Sequence, residues 1–251
     1  AVIRRSLGLR DKIAGNGIID DIEVIVVSDG SVDRAAEIAR RFLPSIRVVY
    51  YEKNKGYGRA IKIGFAHASG ELLAFLDADG TCDPMSLIPM SRKLVEEGAD
   101  ICIGSRMGKS SKMPFVRRVG NRLFVALINM ISGAGITDSA SGIRVIRRDR
   151  LKDLYPLPNG MSFTPAMSSR AVLDARLKIV EVEIPYEERR GESKLRAISD
   201  GFGFLKVIVS IALTYRPLRV LVPFGIVLVA LAVIYGLGML SSYWINGSIP
   251  D

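Results

Sequence analysis

FLDADGTCDP, residues 75–84, is the stretch on which the fold turns. It completes an apolar run that begins at Leu72, then breaks on Asp77, Ala78, Asp79 and Gly80. A short apolar run that stops at a polar, glycine-bearing turn reads as a buried strand and a tight turn. Asp83 stands before Pro84, a pairing suited to starting a helix, and apolar spacing carries that helix to Glu97.

The same unit recurs on both sides. Upstream, Asp21–Val27 stops at Ser28-Asp29-Gly30-Ser31, and Ala35, Ile38 and Phe42 follow at helical spacing. Ile46–Tyr51 reads as a strand, and Asn54-Lys55-Gly56-Tyr57-Gly58 opens a helix that runs to Ala68. Downstream, Ala99–Ile103 ends at Gly104-Ser105-Arg106, and Lys178–Ile184 is a late strand. Lys109 to Arg122 is rich in Lys and Arg and leads into an apolar helix over Leu123–Ile131. Arg144–Arg150 reads only as a second basic stretch. Strands alternating with helices predict an α/β fold, a mostly parallel sheet between helical layers. In such sheets ligands bind beyond the carboxyl ends of the strands. The polar turns at 28–31, 77–81 and 104–106 fall there.

The last fifty residues differ in kind. The chain has 251 residues, 49% of them hydrophobic, and the excess gathers after Gly201. Phe202–Leu213, interrupted by Lys206 and Ser210, suits a helix lying in a membrane interface. Val220–Leu240 carries no charge. At about 1.5 Å per residue it spans roughly the hydrocarbon thickness of a bilayer. Arg216 and Arg219 precede it, and no Lys or Arg follows. The positive-inside rule then places residues 1–219 in the cytoplasm, at the cell membrane. The expected organisation is a catalytic domain over 1–195 and an interfacial amphipathic helix over 196–218. A transmembrane helix over 219–241 and an extracytoplasmic segment over 242–251 complete it.

Net charge is +9, which suits an anionic partner or simply keeps the protein soluble. The basic residues are not interleaved with aromatics, which argues against nucleic acid. Cys82 and Cys102 form no metal-binding pattern, and His67 is the only histidine. Gly-x-Ser-x-Gly, His-Glu-x-x-His and Walker patterns are absent, so hydrolase, zinc protease and P-loop chemistry have no support.

Asp77 and Asp79 can face one point and hold Mg²⁺ or Mn²⁺ through oxygen. A departing nucleotide diphosphate needs such a cation. The same residues would also serve as a plain turn, with Asp83 as a helix cap. Asp29 can accept hydrogen bonds from a base or ribose, or act as a turn aspartate. Gly56 and the helix N–H groups behind it could approach phosphates. Ile61 stands where a dinucleotide fingerprint has its third glycine, which argues against an oxidoreductase. Arg106, Arg117, Arg118, Arg144, Arg189 and Lys194 are expected in loops or at strand ends. There they can grip phosphate in a two-pronged way or form a solvated, membrane-facing surface.

Taken in order, seven segments resemble glycosyltransferase family 2, and within it the polyprenyl-phosphate glycosyltransferases such as dolichol-phosphate mannose and glucose synthases. They are VSDGSVD (27–33), NKGYGRA (54–60), FLDADGTCDP (75–84), GSRM (104–107), RRVGNRL (117–123), TDSASGIRVIRR (137–148) and ERRGESKL (188–195). The resemblance implies a GT-A fold and inverting, metal-dependent transfer of a hexose from a nucleotide-sugar of GDP-mannose or UDP-glucose type. It implies polyprenyl or dolichyl phosphate as acceptor, membrane lipid as surroundings, and leaves a homo-oligomer open. Asp77 and Asp79 would hold the metal, and Asp29, Gly56, Asp77 and Ala78 the nucleotide-sugar. Arg117, Arg118, Ser141, Arg189 and Lys194 would hold the acceptor phosphate, with Asp79, Arg118 and Arg144 catalytic. The family's opening strand and its Pro-x-x-Asn-Glu stretch are not found, so the chain is expected to begin after them. A relative using another lipid or glycan acceptor, or a non-catalytic membrane-surface module, are the alternatives. Polysaccharide synthases carry a Gln-x-x-Arg-Trp motif, and the sole tryptophan here, Trp244, lies outside the domain.

Overall fold

The computed structural model describes residues 1–13, 17–31, 34–189 and 197–246. Two short helices, α1 (Val2–Leu7) and α2 (Leu9–Ile13), precede strands β1 (Ile25–Asp29) and β2 (Arg47–Tyr51), with α3 (Ala35–Arg40) between the strands. α4 (Tyr57–His67) leads to β3 (Leu72–Leu76). A 3-10 turn at Pro84–Ser86 and α5 (Leu87–Glu96) lead to β4 (Ile101–Ser105). Then come α6 (Phe115–Ser132), β5 (Ile143–Arg147), α7 (Leu151–Leu154), α8 (Phe163–Leu173) and β6 (Ile179–Glu183). α9 (Ala197–Tyr215) and α10 (Pro217–Asn246) close the described chain.

The α/β fold is as expected, but the sheet is mixed rather than mostly parallel. β1 and β2 pair in parallel as one two-stranded sheet, and the other four strands order as β3-β5-β4-β6. β4 and β6 are parallel, while β5 runs antiparallel to both β3 and β4. β5 is the strand that the basic appearance of Arg144–Arg150 concealed. Ile143 and Val145 pack on one face with Met90 and Leu94, and Ile146 packs on the other with Phe75 and Ile101. Each such fully buried aliphatic side chain contributes about 1.5–3 kcal/mol relative to exposure. On the α8 side, Phe75 meets both Phe65 and Phe163 edge to face, with centroids 6.0 Å apart in each pair.

α4 starts where its glycine turn indicates. Gly56 has φ 99°, a left-handed conformation that suits glycine, and a Cβ there would strike the Asn159 carbonyl. Asp83 caps the turn after β3, its side chain accepting from Met85 N–H at 3.1 Å. α6 begins at Phe115 rather than Leu123, so Arg117 and Arg118 lie in its first turn instead of a loop. α9 buries Phe204, Ile208, Ile211 and Ala212 against the domain while Phe202, Leu205 and Leu213 stay exposed. α10 is apolar and long enough to cross a membrane over Pro217–Ile245, and none of its 18-residue apolar window is buried among the described residues.

Candidate active site

β3 delivers two carboxylates into one turn. The Asp77 N–H donates to the Gly142 carbonyl at 3.1 Å, which ties the turn to the entry of β5. Gly142 lies so close to the Asp77 carboxylate that a Cβ at 142 would overlap it. The Tyr57 hydroxyl, from the first turn of α4, donates to Asp77 Oδ1 at 2.9 Å. Burial lifts the Asp77 carboxyl to about 6, and the charge of Asp79 adds to this. The Tyr57 hydrogen bond and the charges of Arg106 and Arg189 pull the other way. Asp79 Oδ1 accepts from Thr81 N–H at 3.0 Å and from Thr81 Oγ1 at 2.7 Å. Its Oδ2 faces Arg189 Nε at 3.6 Å. Among the described residues no third acidic, histidine or cysteine side chain joins this pair as a metal cluster.

Arg189 reaches Asp79 because its loop is laced to that turn. Tyr186 bridges Cys82 in antiparallel fashion, and Glu187 N–H donates to the Thr81 carbonyl at 2.8 Å. Lys112 N–H donates to the Tyr186 carbonyl at 2.8 Å, and Arg118 Nη2 donates to the Ser111 carbonyl at 2.9 Å. The start of α6 therefore borders the same loop. Its first-turn N–H groups and the arginines on it favour an anion.

Beneath lies a buried ion pair. Arg106 Nε and Nη2 donate to Asp138 Oδ2 and Oδ1 at 2.7 and 2.9 Å, and the Arg106 N–H adds a third bond at 3.0 Å. Burial opposes the charge on Asp138, but the Arg106 charge and hydrogen bonds hold its carboxyl below the ordinary range. The Arg106 guanidinium lies 5.5 Å from the centre of the Tyr186 ring.

Residues 6–155 match the sequence profile of glycosyl transferase family 2. The chain belongs to glycosyl transferase family 2. It is 35% identical over 205 residues to a dolichyl-phosphate hexose transferase of Haloferax volcanii, covering 79% of this chain and 85% of that one. It is 31% identical over 182 residues to a dolichol-phosphate mannosyltransferase of Pyrococcus furiosus, covering 69% of this chain and 51% of that one. It thus spans most of the first relative and about half of the second. In fold it resembles Mycobacterium tuberculosis glucosyl-3-phosphoglycerate synthase, crystallised with Mn²⁺, UDP-glucose and phosphoglyceric acid. That match has a TM-score of 0.62 and 22% identity, over 84% of this chain and 75% of that one. The GT-A fold of this family 2 enzyme is thereby shown.

Against this family frame, the structure brings together Asp77, Asp79, Arg189 and the Arg118 end of α6. Asp29 stands at the end of β1, its Oδ1 and Oδ2 accepting from Lys55 and Gly56 N–H at 2.6 and 2.9 Å. It joins the first two turns, and the Gly56 N–H is directed to this carboxylate. Two residues expected at the phosphate are enclosed instead. Ser141 is fully buried, with Oγ donating to the Gly104 carbonyl at 2.6 Å. Arg144 lies inside β5, not at a strand end, and is also fully buried. It donates to the Ser139 carbonyl at 2.9 Å, to the Ser141 carbonyl at 3.3 Å and to Ser168 Oγ at 2.8 Å. Burial brings its guanidinium down to about 10. Neither side chain is exposed: Arg144 points into the domain from the antiparallel β5, and Ser141 is enclosed in the loop that leads into it. Lys194 lies outside the described residues. Tyr57, Gly142, Asp138 and Tyr186 were not singled out from sequence. Tyr57 falls within the family-like segment NKGYGRA, and Asp138 and Gly142 within TDSASGIRVIRR.

Proposed function

We propose that this chain transfers a hexose, with inversion, from a nucleotide-sugar of GDP-mannose or UDP-glucose type to polyprenyl or dolichyl phosphate. The reaction takes place at the cytoplasmic face of the cell membrane. The observation that carries this reading is the pairing of Asp77 and Asp79 under the Arg189 loop, in a chain that also carries a membrane-length apolar helix. The names of the Haloferax and Pyrococcus relatives support the acceptor. With it goes the organisation expected from sequence, which is part of this proposal: a catalytic domain over 1–195, an interfacial helix over 196–218, a span over 219–241 and an outer segment over 242–251.

The donor set fits Mg²⁺ or Mn²⁺. Asp77 and Asp79 offer hard oxygens, and a buried carboxyl lifted to about 6 beside a second carboxylate gains from a neighbouring cation. With only this pair available among the described residues, the remaining ligands would come from the diphosphate and water. When bound, the ion supplies neutralisation of the departing diphosphate.

The chain's own residues do the positioning. Asp29 and the Gly56 turn border the nucleotide, and Asp77 and Ala78 the sugar diphosphate. Arg117, Arg118, Arg189 and Lys194 hold the acceptor phosphate. A phosphate monoester has a second pKa of about 6, so the acceptor is largely dianionic near neutral pH and attacks without a strong base. An acceptor oxygen bonds the anomeric carbon as the bond to the diphosphate breaks on the opposite face. Arginines fixed beforehand lower the cost of bringing two anions together. Ser141 and Arg144 act behind this surface, as supports of the 138–142 loop.

The experiment is transfer in membranes with Mg²⁺ or Mn²⁺, polyprenyl phosphate and a panel of radiolabelled nucleotide-sugars. Label entering the organic phase, and lost on chelation, is expected and names the donor. Donor binding that responds to chelator without any lipid product would reject the acceptor and retain the metal site.

A further inference from the structure

The segment between α6 and β5 carries a turn, Thr137-Asp138-Ser139, that belongs to no strand. Three successive backbone N–H groups there need acceptors, because a buried N–H without one is costly. Side chains from two other elements supply them. Glu181 of β6 accepts from Thr137 N–H at 2.8 Å and from Asp138 N–H at 3.1 Å, and it takes the Thr137 hydroxyl at 2.8 Å. Asn121 of α6 accepts from Ser139 N–H at 3.2 Å and from Ser139 Oγ at 3.1 Å. Its amide donates in return to the Thr137 carbonyl at 3.4 Å. Asn121, Asp138 and Ser139 are all buried.

The turn so gripped presents Asp138 to Arg106, and Arg106 lies against the Tyr186 ring. Tyr186 opens the loop in which Glu187 N–H is bonded to the Thr81 carbonyl and Arg189 faces Asp79. β6 thus acts at both ends of this chain of contacts. Glu181 sets the turn that aims Arg106, and the residues after β6 receive Arg106 on Tyr186.

Glu181 is not a packing residue. It borders two open clefts of about 310 and 270 Å³, one lined by Ile136, Leu177 and Ile179, the other by Ser105, Met107 and Glu183. Burial raises its carboxyl above the usual range, against the hydrogen bonds from Thr137 and Asp138. A carboxylate at a position that disfavours its charge directs attention to the groups it holds.

We propose that Glu181 and Asn121 are positioning residues for the transfer. By fixing the 137–139 turn they hold Asp138, and through it Arg106 and Tyr186, so that the Arg189 loop keeps its place beside Asp79. This rests on the reading that the Arg189 loop receives the acceptor phosphate. It gives β6 and the buried face of α6 a share in acceptor affinity, although neither side chain touches a substrate.

The test uses the full chain in membranes, with nucleotide-sugar and polyprenyl phosphate varied separately. Glu181→Ala and Asn121→Ala should each raise the acceptor KM about tenfold, the scale of a lost charge-assisted hydrogen bond, and change the donor KM less than about twofold. Arg106→Lys keeps a charge beside Asp138 without the two-pronged bond. In that background Glu181→Ala should add less than about twofold, because both changes break one chain of contacts. Full additivity, or an equal rise in both KM values, overturns the proposal and leaves Glu181 a support of the fold.

A second measurement needs no substrate. Cys82 and Cys102 are buried, so spin labels go to Glu96→Cys on α5 and Glu188→Cys in the loop, both exposed positions. The distance distribution between them, read by pulsed electron spin resonance, should be narrow with Glu181 and broad with Glu181→Ala. An equally narrow distribution in both overturns the proposal. Absence of any lipid product rejects the acceptor reading by itself, and the distances still decide the positioning.

Discussion

Tyr57 donates its hydroxyl to Asp77 Oδ1 at 2.9 Å, so the first turn of α4 stabilises the ionised form of a carboxylate at the end of β3. Burial nevertheless leaves that carboxyl at about 6. The carboxylate forms as pH rises through this value, so activity that needs it should fall as pH drops below about 6. Tyr57→Phe removes the hydrogen bond and should move this acid limb to higher pH. The pH profile of kcat/KM checks it, and an unmoved limb would assign the titration to another group.

Asp79→Ala should abolish transfer and chelator-sensitive donor binding while the protein stays in the membrane fraction. Among the described residues Asp79 accepts only from Thr81 and faces Arg189, so its loss should leave the sheet intact. Transfer at the normal rate by this variant would sink the metal assignment.

Asp138 is fully buried and Arg106 nearly so. Removing one partner strands the other's charge, at a cost of about 3–5 kcal/mol. Asp138→Ala should therefore lower the thermal midpoint markedly. The double change Arg106→Met with Asp138→Leu should recover much of it without restoring activity. Equal midpoints for the single and double variants would contradict the pairing.

Gly142 has no room for a methyl group beside the Asp77 carboxylate, whereas a Cβ at Gly160 meets nothing within 4 Å. Gly142→Ala should displace that carboxylate and lower kcat by about a hundredfold, the usual scale for a reacting group moved by an ångström. Gly160→Ala should be neutral. Comparable kcat values for the two variants would show that the placement of Asp77 is not limiting.

Arg118→Ala should raise the acceptor KM by about tenfold, the scale of one charge-assisted hydrogen bond, with a smaller effect on the donor KM. Steady-state kinetics with each substrate varied separately decide it. An effect confined to the donor would move Arg118 to the nucleotide side.

Local signals in the sequence determined a large part of this protein. The apolar run 72–76 ending on Asp77-Ala78-Asp79-Gly80, the glycine-led start of α4 and the cap at Asp83 read correctly, and the uncharged stretch 220–240 lies in one long apolar helix. Each depends on neighbours within a few residues: strand periodicity, turn chemistry, capping and length against a bilayer. Only the tertiary structure decided what Arg144, Ser141 and Arg106 do. Whether an arginine meets solvent, phosphate or carbonyls depends on which strands flank it. β5 is clasped between β3 and β4 in antiparallel register, which a five-residue segment with two arginines does not announce. Likewise Asp138 meets Arg106 across 32 residues and Tyr57 meets Asp77 across 20. Such partners are chosen by the packing of whole elements, because a buried charge must find its counter-group wherever the fold brings one.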